Sequence, residues 1–397
     1  MHVLVVGAGL TGLQTAFALL NKGAEVTLIE AQRAPCQGAS YCATACAGAK
    51  HPTQIASSAT FMARLKAMAS NTSNLKYGSK AAVRYASFIS AMTSARAPEK
   101  FDLRTATLEA LAEKSATLLR TDAQTYGFEL QESAGTLVVH DTASTTDTMP
   151  TLQAITAIEP SLYDARNVEG VTIERTTTWS SSFYAKQLRE YLVSRNVRIL
   201  CNHRVTGLIS QNGQVKGIDC TTPLEADAVV VTAGLSSPDI LPNECYGNVP
   251  LAPLTRAVYN VDLIADHRRV RHAVQSDDGR MIVPLDNFLR LIGHWYLGSP
   301  EQCDMDAEYQ ALWAMGVKLL PQAANWSQGR YLNGSVLSSP DGLPIVGAST
   351  RPGLYLNIAG GIHGGDFVCA YADATADAVL GHENPLLQPL SWSRFTA

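Results

Sequence analysis

The first residues that could do chemistry are three glycines, Gly7, Gly9 and Gly12, and the acid that follows them, Glu30. Glycines at this spacing, directly after an apolar strand, let the backbone N–H groups of the next helix approach a pyrophosphate. A carboxylate at the end of the second strand can accept hydrogen bonds from both hydroxyls of a ribose. The pattern predicts a dinucleotide site. The acid favours an ADP-ribose without a 2′-phosphate, because the two anions would repel each other.

Two short strands and a helix must position these groups. Apolar strands are predicted over residues 3–6 and 26–29, with a helix of small residues over 13–20 between them. This order, ending on an acid, is typical of a dinucleotide-binding unit. The unit fits either FAD or NAD, and its place at the start of the chain favours FAD. The cofactor-binding residues that it predicts are Gly7, Ala8, Gly9, Leu10, Thr11, Gly12, Glu30 and Ala31.

Composition indicates a globular protein and argues against a nucleic-acid-binding or membrane-spanning protein. The 397 residues are 46% hydrophobic and 17% charged, which suits about two domains with a large core. The net charge is −4 with scattered basic residues, so no nucleic-acid partner is expected. The apolar stretch 226–235 is too short to cross a bilayer. With no leader before the first strand, we expect a cytoplasmic protein, with peripheral contact to the inner face of the cell membrane as an option.

The eight cysteines do not have the spacing of a metal site. Only Cys42 and Cys46 are close, and a single CxxxC pair suits zinc poorly. We therefore predict no metal, and we interpret the thiols as small side chains in a reducing compartment.

The rest of the chain shows further periodic segments. Helices are predicted between residues 53 and 127, including a long amphipathic one over 103–126. A face of the helix around residue 85 is interpreted as core-facing, with membrane contact as the alternative. Other predicted elements are hairpins over 127–140 and 205–219, a buried strand over 227–234, antiparallel strands over 254–263 and 281–295, a helix over 305–320, a strand over 354–358, and a helix over 366–380 closed by Gly381.

Taken together, these motifs resemble the D-amino-acid oxidase and dehydrogenase (DAO) superfamily of FAD enzymes. The branch most similar is the D-amino-acid dehydrogenase small subunit, with glycine oxidase and sarcosine oxidase as relatives. The resemblance covers most of the chain and rests on an ordered set of motifs. They occupy residues 3–12 with Glu30, 38–40, 135–137, 159–160, 232–234, 290–293, 340–347 and 360–365.

The resemblance implies an α/β fold with two domains. A Rossmann-like FAD domain, discontinuous in sequence, would comprise 1–52, 150–245 and 325–397. A mixed-sheet, α+β substrate domain would comprise 53–149 and 246–324. Further FAD contacts are implied at Gly38, Ala39, Ser40, Val205, Ala233, Gly234, Gly361, Gly364 and Gly365. Sarcosine-oxidase-like relatives attach FAD to a cysteine before the Pro340 turn, and none occurs between Cys303 and Cys369, so we expect non-covalent FAD.

The chemistry implied is hydride transfer from the α-carbon of an amine or amino acid to flavin N5, followed by hydrolysis of the imine to an oxo acid and ammonia. The electron acceptor would be a quinone or O2. A helix N-terminus after the turn at 360–365 would stabilise the reduced flavin. The predicted pocket residues are His363, Tyr296, His294 and Tyr259, and strand alternation places His294 and Tyr296 on one face.

Two departures from the family pattern concern the substrate. Relatives that act on amino acids bind the carboxylate through an arginine five residues before Asp341, and this chain has Val336 there. Arg256, Arg290 and Arg330 are the alternatives for the missing cation. Otherwise the substrate lacks a carboxylate at that place. Segment 175–182 also lacks the acidic, glycine-containing character of dehydrogenase relatives.

We predict an FAD-dependent amine or amino-acid oxidoreductase that is D-amino-acid dehydrogenase-like. The alternatives are a secondary-amine or N-methyl amino-acid oxidase, a flavin-binding subunit without catalysis, and an NAD-dependent dehydrogenase.

Overall fold

A six-stranded sheet carries the N-terminal glycine turn in this computed structural model, which describes residues 1–43, 45–47, 75–95, 98–140, 152–166, 168–174, 176–264 and 270–396. Five of its strands are parallel and one edge strand is antiparallel. In spatial order the strands are β18 (Ile345–Ala348), β19 (Leu354–Ile358), β12 (Ala228–Val231), β1 (His2–Val6), β2 (Glu25–Ile29) and β8 (Arg198–Leu200). Every residue of β12 is buried, which explains its unbroken apolar sequence.

Four helices pack with this sheet and form its largest core. Phe17 lies at the centre, with its ring 5.1 Å from that of Tyr126 and 5.4 Å from that of Tyr191. The helices are α1 (Leu10–Asn21), α5 (Pro98–Tyr126), α7 (Ser181–Ser194) and α10 (Val368–Leu380). Gly381 ends α10 in the left-handed conformation (φ 75°), as predicted.

An eight-stranded mixed sheet forms the second large element. Most of its neighbours are antiparallel, but β14 pairs with β5 in parallel and β4 pairs with β16 in parallel. Its strands are β17 (Arg330–Ser338), β13 (Ala252–Asp262), β16 (Phe288–Leu297), β15 (Met281–Leu285), β14 (Ala273–Ser276), β5 (Thr136–His140) and β6 (Gly170–Glu174), with β4 (Leu75–Lys76) beside β16. Helix α9 (Asp306–Leu319) packs on β13 and β16.

Smaller elements complete the described part of the chain. They are β3 (Ala45–Ala47) with β7 (Thr177–Trp179), a meander of β9 (Gly207–Gln211), β10 (Gln214–Asp219) and β11 (Leu224–Glu225), and the helices α2 (Ala39–Cys42), α3 (Ser79–Arg84), α4 (Ala86–Ser94), α6 (Leu152–Ile158), α8 (Ser237–Ile240) and α11 (Leu387–Leu390). Within this described part, no helix has the length and hydropathy that a membrane crossing requires.

Most predicted elements are confirmed, including the hairpin around Asn212 and the long helix, which begins five residues earlier at Pro98. The hairpin over 127–140 is wrong, because β5 pairs with β6 and β14 and no strand precedes it from residue 127. Phe128 packs instead beside Phe17 and Tyr184. The helix around residue 85 turns Phe88 into the core, as interpreted, whereas helices predicted over 53–74 lie outside the described residues.

The predicted domain division stays a prediction, although two strands bear on it. The cofactor domain was predicted to include 150–245 and 325–397. Strands β6 and β17 fall in those ranges, but both pair with the eight-stranded sheet. This pairing brings β17 beside β13, and the two sheets meet at the site described next.

Candidate functional site

The carboxyl ends of four parallel strands open on one cavity. Its wall contains Gly7 after β1, Glu30 after β2, Ala233 after β12 and Ala359 after β19. The sheet extends from β1 through β2 on one side and through β12 on the other. The cavity therefore lies where the strand order changes direction, which is the usual ligand site of an open α/β sheet.

The glycine turn leaves no space for side chains at two of its three glycines. Gly7 has φ 102°, and a Cβ there would lie 2.8 Å from the carbonyl oxygen of Thr232. A Cβ on Gly12 would lie 1.8 Å from the carbonyl oxygen of Gly7. Helix α1 begins after Gly9 without a side-chain cap, and Gly9, Leu10 and Thr11 all line the cavity. The positive end of the α1 dipole thus faces the space where an anion would bind.

The Glu30 carboxylate is held in place by backbone groups. One oxygen accepts a hydrogen bond from Ala8 N at 2.8 Å, and the other accepts one from Gln32 N at 2.8 Å. These bonds fix the carboxylate on the cavity wall beside the glycine turn, in the position predicted for a ribose contact.

A short helix, α2, brings Ser40 to the glycine turn. Ser40 Oγ accepts a hydrogen bond from Leu10 N at 2.9 Å, at the start of α1. The other end of α2 is held by Arg290 of β16, whose Nη1 and Nη2 donate to the carbonyl oxygens of Ala43 (2.8 Å) and Tyr41 (3.1 Å). Arg290 is only 2% exposed, and burial lowers the pKa of its guanidinium.

A second glycine-rich turn, residues 360–365, forms another part of the wall. A Cβ on Gly361, whose φ is 57°, would lie 3.0 Å from Ser338 Oγ. Below the turn, the Tyr371 side chain lines the cavity, and its buried hydroxyl has no hydrogen-bond partner among the described residues. A buried hydroxyl without a partner is costly unless a ligand or water satisfies it. Gly360, Gly361, Gly364 and Gly365 all line this end of the cavity, so a flat ligand could approach the backbone closely there.

The eight-stranded sheet supplies the remaining wall. Arg256 of β13 and Trp295 of β16 are cross-strand partners, and the guanidinium carbon lies 4.5 Å from the indole ring centre. Val336 of β17 lies beside them and packs in an apolar cluster with Phe88 and Ile362. One cavity thus connects the phosphate-binding turn, the second glycine turn and a cation set among apolar side chains.

Most of the predicted cofactor residues line this cavity. Ala8 and Gly12 do not: Ala8 is buried and positions Glu30, and Gly12 packs α1 against the turn. The predicted residues that line the cavity are Gly7, Gly9, Leu10, Thr11, Glu30, Ala31, Gly38, Ala39, Ser40, Val205, Ala233, Gly234, Gly361, Gly364 and Gly365.

His294 and Tyr296 require a correction, because neither lines the cavity. They share one face of β16, as alternation predicts, but it is the face turned toward α9. Glu308 accepts hydrogen bonds from His294 N at 2.9 Å and from Tyr296 Oη at 2.9 Å, and it also binds Arg280. Burial opposes ionisation of Glu308, yet the hydrogen bonds from His294 and Arg280 hold its pKa well below the usual range. These residues form a buried ionic cluster away from the cavity.

Tyr259 and His363 are also not on the cavity wall. The Tyr259 hydroxyl donates to the carbonyl oxygen of Trp326, beneath the opposite side of the sheet. His363 lies in the second glycine turn, but its buried ring is hydrogen-bonded to Asp366 at 3.1 Å and stacks on Phe367. The placement of all four predicted pocket residues argues against direct contact with a ligand here.

The predicted set of pocket residues leaves out several residues that line the cavity. Trp295 lies between His294 and Tyr296 on β16, so its side chain points to the opposite face of the strand, and that face meets the cavity. Asn357, Tyr371 and the pair His203–Arg204 carried no motif. Of the three alternative arginines, Arg256 lines the cavity, Arg290 holds α2, and Arg330 is exposed at the start of β17.

Comparison with known proteins gives matches along nearly the whole chain. A family model described as "DAO: FAD dependent oxidoreductase" matches residues 2–378. D-amino acid dehydrogenase of Vibrio cholerae (serotype O1, strain M66-2) is 22% identical over 97% of this chain and 96% of its own length. D-amino acid dehydrogenase of Agrobacterium fabrum is 24% identical over the full length of both. Glycine oxidase of Bacillus cereus is 15% identical and superposes with a TM-score of 0.69 over 97% of this chain and 99% of its own, which shows a shared fold.

Proposed function

Because the chain belongs to the DAO family of FAD-dependent oxidoreductases, we propose that it binds FAD non-covalently and oxidises the CH–NH2 group of an amino acid, in the manner of D-amino-acid dehydrogenases. The observation that carries this proposal is the single cavity that joins the phosphate-binding turn to Arg256 and Trp295 of the other sheet. A dinucleotide in the first part would place its reactive end beside a small molecule in the second.

The residues present fit FAD. The Cβ-free surfaces of Gly7 and Gly9, with Ser40, would hold the pyrophosphate at the α1 N-terminus. Glu30 would accept the ribose hydroxyls. The turn at 360–365 would approach the ring system with the backbone of Gly361, Gly364 and Gly365, which lines the cavity. When bound, FAD supplies a two-electron acceptor for a hydride.

Non-covalent binding is supported by the thiols near the site. Cys36 lines the cavity, but burial raises its pKa to about 12, so little thiolate is present to attack a ring. Burial likewise raises the pKa of Cys369 on α10, and this residue lies in the helical core rather than on the wall.

The chain's own role in the reaction is to position the substrate and exclude water. Trp295, Val336 and Ile362 make an apolar surface around the reacting carbon, which favours a neutral amine as the reacting form. The amine needs no protein base once it is neutral. The reaction therefore does not require the predicted residues His294, Tyr296, Tyr259 and His363 at the substrate end, where none of the four lines the cavity.

The test is anaerobic titration of the purified holoenzyme with amino acids and amines, followed by flavin absorbance near its visible maximum. Loss of the oxidised flavin spectrum on addition of a D-amino acid, with oxo acid and ammonia produced in equal amounts, is expected. Re-oxidation by O2 or by a soluble quinone then identifies the acceptor. Protein that takes up no FAD after reconstitution would refute the proposal, as would holoenzyme that no amine or amino acid reduces.

A further inference from the structure

Among the described residues that line the cavity, Arg256 is the cation at the substrate end. Arg204 also lines the wall, but it follows His203, whose N–H is bonded to the Glu30 carbonyl, so it belongs to the ribose end. Building on the proposed function, we propose that the Arg256 guanidinium binds the substrate carboxylate, and that the substrate is an amino acid with an apolar side chain. Nothing in the family match assigns a role to this residue.

The position of Arg256 suits that role. It lies opposite Trp295 of β16 on one side and opposite Gly334 of β17 on the other. A Cβ on Gly334 would lie in ordinary van der Waals contact with Arg256 Cγ, at 4.0 Å, so the arginine stem runs beside β17 at this position, and Arg256 and Val336 both line the cavity. The side chain therefore reaches the cavity beside Val336 rather than leaving the sheet edge.

Stacking on Trp295 prepares the guanidinium for a carboxylate. The guanidinium carbon lies 4.5 Å from the ring centre, so the indole covers one face of the cation. The two parallel N–H bonds that hold a carboxylate lie in the guanidinium plane, so stacking does not compete with them. A cation oriented in advance by an aromatic ring also loses less side-chain entropy when it binds.

The surroundings of Arg256 define the rest of the substrate. Trp295, Val336 and Ile362 belong to one apolar cluster with Phe88 and Met92 of α4. An anionic group anchored at Arg256 would leave the remainder of the ligand against this cluster. The burial of apolar groups there strengthens the ion pair, because Coulomb attraction rises as water is displaced.

Three phenyl compounds separate the carboxylate from the amine. These are 3-phenylpropanoate, which has only the carboxylate, 2-phenylethylamine, which has only the amine, and phenylalanine in both enantiomers. We expect the holoenzyme to bind 3-phenylpropanoate without turnover. Binding is measured as the shift of the flavin absorbance bands. Protection against thermal unfolding provides a second readout that does not depend on the flavin.

Arg256→Met is expected to weaken 3-phenylpropanoate binding about 30- to 100-fold, because a charge-assisted pair of hydrogen bonds is lost. Arg256→Lys keeps the charge without the planar fork and should be intermediate. Arg330→Met, exposed on the neighbouring strand outside the cavity, is the matched control and should bind like wild type. With phenylalanine as substrate, the KM of Arg256→Met should rise far more than kcat falls, while 2-phenylethylamine is affected equally little by all three variants.

The outcomes distinguish this inference from the proposed function. If phenylalanine reduces the flavin of Arg256→Met as efficiently as in wild type, the role of Arg256 is refuted and the proposed oxidation of an amino acid stands. If no amine or amino acid reduces the wild type, yet 3-phenylpropanoate binding depends on Arg256, the carboxylate site stands and the proposed function falls. Wild type that binds 3-phenylpropanoate no better than Arg256→Met refutes the inference.

Discussion

Arg290 should control FAD binding although its side chain lies outside the cavity. Its guanidinium donates to two carbonyl oxygens at the end of α2, those of Tyr41 and of the C-cap residue Ala43, which no further helical turn satisfies; Ala43 O also accepts from Ser181 Oγ. The same helix presents Ser40 to the backbone N–H of Leu10 at the glycine turn. We therefore expect Arg290→Met to release α2 and to weaken FAD binding through Ser40.

The contacts of Arg290 set the size of this effect. A hydrogen bond from a charged donor contributes about 1.5–3 kcal/mol, so loss of the two bonds to α2 costs at most about 3–6 kcal/mol. Tyr41 is 53% exposed, so water can replace part of the loss at its carbonyl, and Ala43 O keeps its bond from Ser181 Oγ at 2.8 Å. In the variant, FAD binding must then supply about 2 kcal/mol to order α2. This cost corresponds to a roughly 30-fold higher Kd for FAD.

The assay is titration of apoprotein with FAD, followed by the change in flavin fluorescence. Asn260→Ala is the matched control, because it removes the third guanidinium partner (Nε to Oδ1, 3.1 Å) and leaves the two bonds to α2. Arg290→Lys, with a single point of donation, should fall between wild type and Arg290→Met. If Arg290→Met lowers the melting temperature but leaves the FAD Kd unchanged, α2 does not couple Arg290 to the cofactor and the reasoning fails.

Three further predictions concern other parts of the molecule. Gly12→Ala should yield protein without FAD, because its Cβ would lie 1.8 Å from Gly7 O. The control Gly78→Ala has open space around the new Cβ and should keep its FAD, so equal FAD content in the two variants would contradict the prediction. Burial raises the pKa of Asp122 to about 6, so ionisation costs stability as the pH rises from about 4 to above 6. Asp122→Asn should therefore raise the free energy of unfolding by about 1 kcal/mol at pH 8, allowing for partial exposure, and by less at pH 5; denaturant titrations that show no such pH difference would contradict it. His294→Gln should lower the free energy of unfolding by about 2 kcal/mol, because it weakens the cluster around buried Glu308. Its kcat should stay within a few-fold of wild type, and a 100-fold loss of kcat in folded holoenzyme would show instead that His294 takes part in catalysis.

The cofactor half of the site could be predicted because its signals are local. Gly7, Gly12 and Glu30 act through the conformation and spacing of one strand–turn–helix–strand unit, which fits within thirty residues. Their clashes and hydrogen bonds in the structure follow from that spacing. The long helix and the glycine after α10 could be predicted for the same reason.

The substrate half could not be predicted to the same extent, because it depends on packing between distant segments. Alternation on β16 correctly grouped His294 with Tyr296, but it could not tell which face meets α9 and which meets the cavity. That choice depends on tertiary packing: α9 folds back on β16 and brings Glu308 to His294 and Tyr296. The wrong hairpin at residue 127 has a similar origin, since Phe128 joined a helical aromatic cluster rather than a strand.

If Arg256 binds the substrate carboxylate, the cation comes from β13 and not from the Val336 position of β17, where the family resemblance implies an arginine. Leu254 pairs with Val336, and Arg256, two residues along β13, pairs with Gly334, so Arg256 and Val336 are diagonal neighbours on one face of the sheet. A carboxylate held at Arg256 would enter from β13 instead of β17, which turns the α-carbon relative to the cavity wall. Which hydrogen then faces the reactive end depends on this orientation. Comparing flavin reduction by the two enantiomers of one amino acid therefore measures this orientation directly, independently of relatives that are 22–24% identical.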